Sequence, residues 1–172
     1  MTELNINFVR SQFPAFSAPE LYEKSFFENA GGSFATEKVV SRLNRFYISR
    51  KVQPYAQYEA SFLGGAEMDE ARNGLSALLN VAPSTLHFGP STSQNTYVLA
   101  QAFRNLNSSR KVIIVTNQDH EANSGSWRKL QKDGFVIREW RVNSLSGSLD
   151  VDDLRDLLDE DVLLLAFPHC SN

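Results

Sequence analysis

Lys111-Val112-Ile113-Ile114-Val115-Thr116, running directly into the polar stretch Asn117-Gln118-Asp119-His120-Glu121-Ala122-Asn123, decides the fold. An unbroken apolar run of strand length that ends in a polar loop reads as a strand covered on both faces, the kind that lies in a parallel sheet. Toward the C-terminus, a helix around Trp127 and Leu130 is stopped by Asp133-Gly134, and a strand spans Phe135 to Trp140. The turn Ser146-Gly147-Ser148 leads to Asp150, an N-cap with Asp153 three residues on, then to Leu154, Leu157 and Leu158 on one helical face, and Val162 to Phe167 is a last strand. Toward the N-terminus, Ser91-Thr92-Ser93 opens a helix with the stripe Val98, Leu99, Ala102, Phe103 and Leu106, and Thr85 to Phe88 is expected as a short strand ended by Gly89-Pro90. Earlier, Val39, Val40, Leu43, Phe46 and Tyr47 mark a helix within 35–51. Met68, Ala71, Leu75, Leu78 and Leu79 are expected as the buried face of a second helix, closed at Val81-Ala82-Pro83. Strands alternating with helices predict an α/β fold: three layers, a mostly parallel sheet with helices on both faces.

Composition narrows the function classes. In 172 residues, 42% hydrophobic and 22% charged, there is material for a real core, so a disordered chain is excluded. A net charge of −3 without a basic run gives no footprint for nucleic acid. The single cysteine, Cys170, cannot make an internal disulfide, which fits a reducing, cytoplasmic setting. No membrane association is expected, because the longest apolar stretch, Val162 to Phe167, is too short to span a bilayer and the start lacks a basic and apolar leader. The final strand is followed only by Pro168-His169-Cys170-Ser171-Asn172, so the chain is expected to be part of a larger fold.

Three segments can carry chemistry. Ser91-Thr92-Ser93 brings hydroxyls and free backbone amides to a helix start, which suits a phosphate, although Ser and Thr cap helices anywhere. His120 follows the central strand, where side chains reach a crevice; it can stack on a flat ring or move a proton, or be no more than a solvated side chain. A metal is not expected, since consecutive Asp119, His120 and Glu121 cannot converge on one ion. Asn172 offers an amide to a ligand oxygen or closes an Asx-type turn, and Cys170 has no assignable base.

Taken together, these segments resemble one family. Phe26-Phe27-Glu28-Asn29-Ala30-Gly31-Gly32, Glu70-Ala71-Arg72 at the opening of a helix, Pro90-Ser91-Thr92-Ser93-Gln94-Asn95, Asp119-His120-Glu121-Ala122-Asn123 and His169-Cys170-Ser171-Asn172 are similar to successive motifs of the class V aminotransferases. These are pyridoxal-phosphate (PLP) enzymes of fold type I, and Arg10-Ser11-Gln12-Phe13-Pro14 resembles their cysteine desulfurase-like branch. Glu28 and Gln94 stand where Asp and Glu are commoner, and Ser91-Thr92-Ser93 replaces a Gly-Thr-Thr type loop.

The resemblance implies that Thr92 and Ser93 hold the cofactor phosphate, His120 stacks on the pyridine ring and assists proton movement, Asn172 meets the phenolic oxygen, and Ala30, Gly31 and Gly32 line the substrate side. It also implies an N-terminal segment over 1–34 and the first part of the PLP-binding large domain over 35–172, a small amino acid as substrate and a homodimer when complete. The family's Schiff-base lysine and its pyridine-nitrogen aspartate follow the Ser-Asn motif, and none of Lys24, Lys38, Lys51, Lys111, Lys129 and Lys132 stands in the family's Ser-x-His setting. The chain alone is therefore expected to be inactive. The competing reading is a non-catalytic α/β module that binds phosphate or a partner through the Ser91–Ser93 helix start.

Overall fold

Strand β1 (Val112–Thr116) is buried at all five of its residues, as its unbroken apolar run requires. In a computed structural model that describes residues 3–170, β1 is the centre of a three-stranded sheet of order β2-β1-β3. It pairs in parallel with β2 (Val136–Trp140), in register from Val112 opposite Val136 to Thr116 opposite Trp140. On its other edge it pairs in parallel with β3 (Val162–Leu165), with one register shift between Val112 and Ile113. The strands expected over 111–116, 135–140 and 162–167 are thus present and parallel.

The chain leaves β1 through α5 (Glu121–Lys129) to reach β2, then returns through α6 (Val151–Leu157) across β1 to reach β3. Two crossovers of the same hand that run in opposite directions must place their helices on opposite faces. Side chains alternate accordingly along β1. Ile113 and Val115 pack with Ala100 of α4 (Thr92–Arg104), Trp127 and Leu130, while Val112 and Ile114 pack with Trp140, Leu154 and Leu157. This is the three-layer arrangement. The turn after α5 ends at Gly134, whose φ of +87° is open to glycine at no steric cost. Asp150 caps α6 as expected, accepting from the Asp152 amide at 2.9 Å. At its other end Arg138 donates to Leu157 O and pairs with Asp159, both at 2.7 Å, and that hydrogen bond holds the Asp159 carboxyl below the usual aspartate range.

The contacts divide the chain into two units, the first ending at His87 and the second beginning at Phe88. The first is helical: α1 (Ile6–Ser11), α2 (Glu37–Ser49) and α3 (Glu59–Leu79). Four expectations need correction. Helix α3 begins at Glu59, so Glu70-Ala71-Arg72 lies inside it rather than at its opening. Its buried residues are Ser61, Gly64, Gly65 and Ser76, while Met68, Leu78 and Leu79 are exposed. The reason is local: Ser61 Oγ donates to Gln53 O at 2.5 Å and accepts from the Ala56 amide at 2.7 Å, folding the preceding loop onto α3. Tyr55 then lies so close to Gly65 that a Cβ there would meet its ring at 2.7 Å.

The expected strand at Thr85–Phe88 is absent, because Pro83–Thr85 forms a 3-10 turn in which Thr85 Oγ1 donates to Ala82 O at 2.7 Å. The side of α4 that is buried carries Thr96 and Ala100, with Phe103 half-buried, whereas Val98, Leu99 and Leu106 are exposed. Among the described residues no helix is long and apolar enough to cross a membrane.

Candidate functional site

The start of α4 is built by a close turn. A side chain at Gly89 would collide with the carboxamide of Asn95, which would have to move to admit it. Ser91 is extended, its Oγ accepts from the Gln94 amide at 3.2 Å and its carbonyl accepts from the Asn95 amide at 2.9 Å. The amides of Thr92 and Ser93 come before the first bond of the helix and are not used by it. Both side chains are exposed. Two amide donors and two hydroxyls at the positive end of a helix dipole suit an anion.

His120 stands four residues past the end of β1 and is the N-cap of α5: its Nδ1 accepts from the Ala122 amide at 3.0 Å. An imidazole nitrogen that accepts carries no proton, so this hydrogen bond selects the ring form with its N–H at Nε2. The loop that carries it is tied from several sides. Asn117 Oδ1 accepts from the Val142 amide at 2.8 Å, and Gln118 Nε2 donates to Gly147 O at 3.1 Å. Arg128 donates to Thr116 O at 3.2 Å and pairs with Glu139 at 2.7 Å, anchoring the end of β1.

Ser93 and His120 meet in one cavity of about 340 Å³, whose walls include Tyr97, Gly125, Ser126 and Lys129. Thr92 is not part of that lining. Ala30, Gly31 and Gly32 belong to the first unit, in an exposed turn where the amides of Gly31 and Gly32 donate to Glu28 O at 3.2 and 3.3 Å. Asn172 lies outside the described residues. Tyr97 and Lys129 were not anticipated from sequence, although Tyr97 is one helical turn past Ser93, a spacing that puts two side chains on the same face.

A family description, aminotransferase class-V, matches residues 25–172. The chain belongs to the class V aminotransferase family. The aminotransferase-like protein FGM3 of Gibberella zeae is 32% identical over 182 residues, covering 99% of this chain and 42% of that protein. The nonribosomal peptide synthetase-like enzyme fsqF of Aspergillus fumigatus is 30% identical over 166 residues, covering 95% of this chain and 11% of that protein. Among solved structures, the cysteine desulfurase CsdA from Escherichia coli superposes with a TM-score of 0.74 at 23% identity, covering 95% of this chain and 41% of that one, which establishes a shared fold. This class V chain spans less than half the length of these relatives.

Enzymes of the class V family use pyridoxal phosphate. The residues present fit that group: unused amides and hydroxyls at Thr92 and Ser93 suit its phosphate, and a flat imidazole in the same cavity as Ser93 suits its ring.

Proposed function

We propose that this chain binds the phosphate and ring of pyridoxal phosphate in a transferase or lyase of the cysteine desulfurase-like branch that acts on a small amino acid. The observation that carries the reading is the single cavity shared by the α4 start and His120. In this reading Thr92 and Ser93 hold the phosphate through backbone amides and hydroxyls. His120 lies against the pyridine ring and can hold or pass a proton at Nε2, because Nδ1 is engaged by Ala122. Asn172 meets the phenolic oxygen, and Ala30, Gly31 and Gly32 leave room on the substrate side. When bound, the cofactor serves as an electron sink for the substrate Cα. None of the six lysines stands in the family's Ser-x-His setting, so the reading assigns binding and orientation to this chain and no covalent step. Residues 1–34 form the N-terminal segment and 35–172 the cofactor-binding part, within a cytoplasmic homodimer.

The test is a comparison of pyridoxal phosphate, pyridoxal and inorganic phosphate as ligands, followed by tryptophan fluorescence. Pyridoxal phosphate should bind more tightly than either fragment. Thr92→Pro removes one amide and one hydroxyl at the first helical position, which tolerates proline, and should weaken pyridoxal phosphate by about tenfold for each hydrogen bond to a charged group that is lost, about a hundredfold if both are, with helix content unchanged. His120→Ala should weaken pyridoxal phosphate and pyridoxal alike. Equal binding of pyridoxal with and without its phosphate overturns the assignment to Thr92 and Ser93. Insensitivity to His120→Ala leaves a phosphate-binding module.

A further inference from the structure

Asp119 and His120 are neighbouring hydrogen-bond acceptors at the start of α5. Aspartate is among the best helix N-cap residues and histidine is not, yet here His120 is the cap and Asp119, one residue earlier, is not. The Asp119 carboxylate is otherwise engaged: its Oδ2 accepts from Asn123 Nδ2 at 2.5 Å. Asn123 Oδ1 in turn accepts from Trp127 Nε1 at 3.4 Å. The orientation of that carboxamide follows from chemistry, since the indole can only donate and the carboxylate can only accept. Trp127 is 3% exposed and packs edge-on against Phe103 with ring centroids 5.7 Å apart, so the far end of the chain of bonds is fixed in the core.

We infer that Asn123 is a positioning residue for His120: by holding the Asp119 carboxylate against the core, it reserves the Ala122 amide for His120 Nδ1 and so presents the imidazole as its Nε2–H tautomer. Without Asn123, the carboxylate swings onto the first-turn amides of α5, Nδ1 loses the Ala122 amide as its fixed donor, and the ring proton is shared between both nitrogens. The functional meaning rests on the proposed reading that His120 lies against the cofactor ring, where a fixed ring plane and a fixed N–H direction are needed.

The experiment reads the nitrogen shifts of His120 in the ¹⁵N-histidine-labelled chain without cofactor, at a pH where the imidazole is neutral, with His87→Gln and His169→Gln used for assignment. The wild-type chain should show Nδ1 at the unprotonated position and Nε2 at the protonated one. Asn123→Ala should move both toward the averaged position. Asp119→Ala/Asn123→Ala should restore the wild-type pattern, because the competitor is gone; a merely structural role for Asn123 gives no such rescue. Asp119→Ala alone, which leaves the Trp127 contact intact, should keep the wild-type pattern, so the idea remains testable if Asn123→Ala fails to fold. An unchanged tautomer in Asn123→Ala, no rescue in the double variant, or scrambling in Asp119→Ala overturns it. Pyridoxal phosphate binding is measured on the same samples and should weaken several-fold in Asn123→Ala and recover in the double variant. Shifts that behave as expected with binding unmoved count against the ring-facing reading of His120 and leave the positioning by Asn123 standing.

Discussion

Strand β1 and helix α3 both read as apolar elements, and they end differently. All of β1 is covered, because α4 and α5 supply one face and α6 the other. Helix α3 buries only small residues, and its large side chains Met68, Leu78 and Leu79 are 48%, 80% and 53% exposed. Helix α2 beside it buries none of its residues; its contacts with α3 include ion pairs of Arg42 with Glu70 and of Arg45 with Glu67, both at 2.8 Å. Apolar periodicity therefore identifies the oily side of an element, and the neighbours in space decide whether it is covered.

Paired truncations break or sharpen this contrast most strongly. Ile113→Ala, at a fully buried position, should cost about 2–5 kcal/mol, whereas Leu78→Ala, 80% exposed, should stay within about 0.5 kcal/mol. Urea unfolding followed by tryptophan fluorescence measures both. Equal losses would show that the outer face of α3 is covered in solution.

A smaller effect is expected where backbone conformation, not burial, sets the residue. Gly134, at φ +87° with open space around its Cα, should lose about 1–2 kcal/mol on replacement by alanine. Asn80, the left-handed C-cap of α3 at φ 54°, should change by only a few tenths of a kcal/mol on replacement by glycine, since asparagine already tolerates that conformation. Thermal melts that rank the two the other way would put the tighter stop in the helical unit.

The smallest effects belong to the exposed ion pairs. Asp159 is held below its ordinary range by Arg138, and Glu70 by Arg42. A depressed carboxyl contributes stability that is present above its unfolded value and lost as pH falls through the folded one. Asp159→Asn and Glu70→Gln should each flatten the acid limb of the stability profile, and the difference from wild type should shrink in about 1 M salt. An acid limb unchanged in both variants at low salt would remove these pairs from the account.

The parallel sheet is legible in the sequence because each strand is a short apolar run between turn residues, and the run at 112–116 is apolar on both faces. Thr85–Phe88 looks much the same, but Pro83 and the Thr85 hydroxyl close a turn just ahead of it, and among the described strands none pairs with it. The exposed stripe of α3 is a second kind of failure: the reading weighs large apolar residues, whereas the close contacts are made where Ser61, Gly64 and Gly65 let the chain approach. At the site, the Ser91 cap and the loop position of His120 are visible in residue order. That histidine and not Asp119 caps α5 is not, because it depends on Asn123 and Trp127, joined to Asp119 only once the helix has formed.

Asn117 and Gln118 both reach from the loop after β1 into the loop after β2, which closes on itself through Val142 and Leu149 and through the Asn143 amide on Ser148 O. Neither loop can lift away without breaking both cross-links, so the two open as one local unit. The Val142 amide, whose acceptor is Asn117, exchanges its hydrogen with solvent when that unit opens. Exchange at Val142, on a segment remote in sequence, thus keeps time for the loop that carries His120.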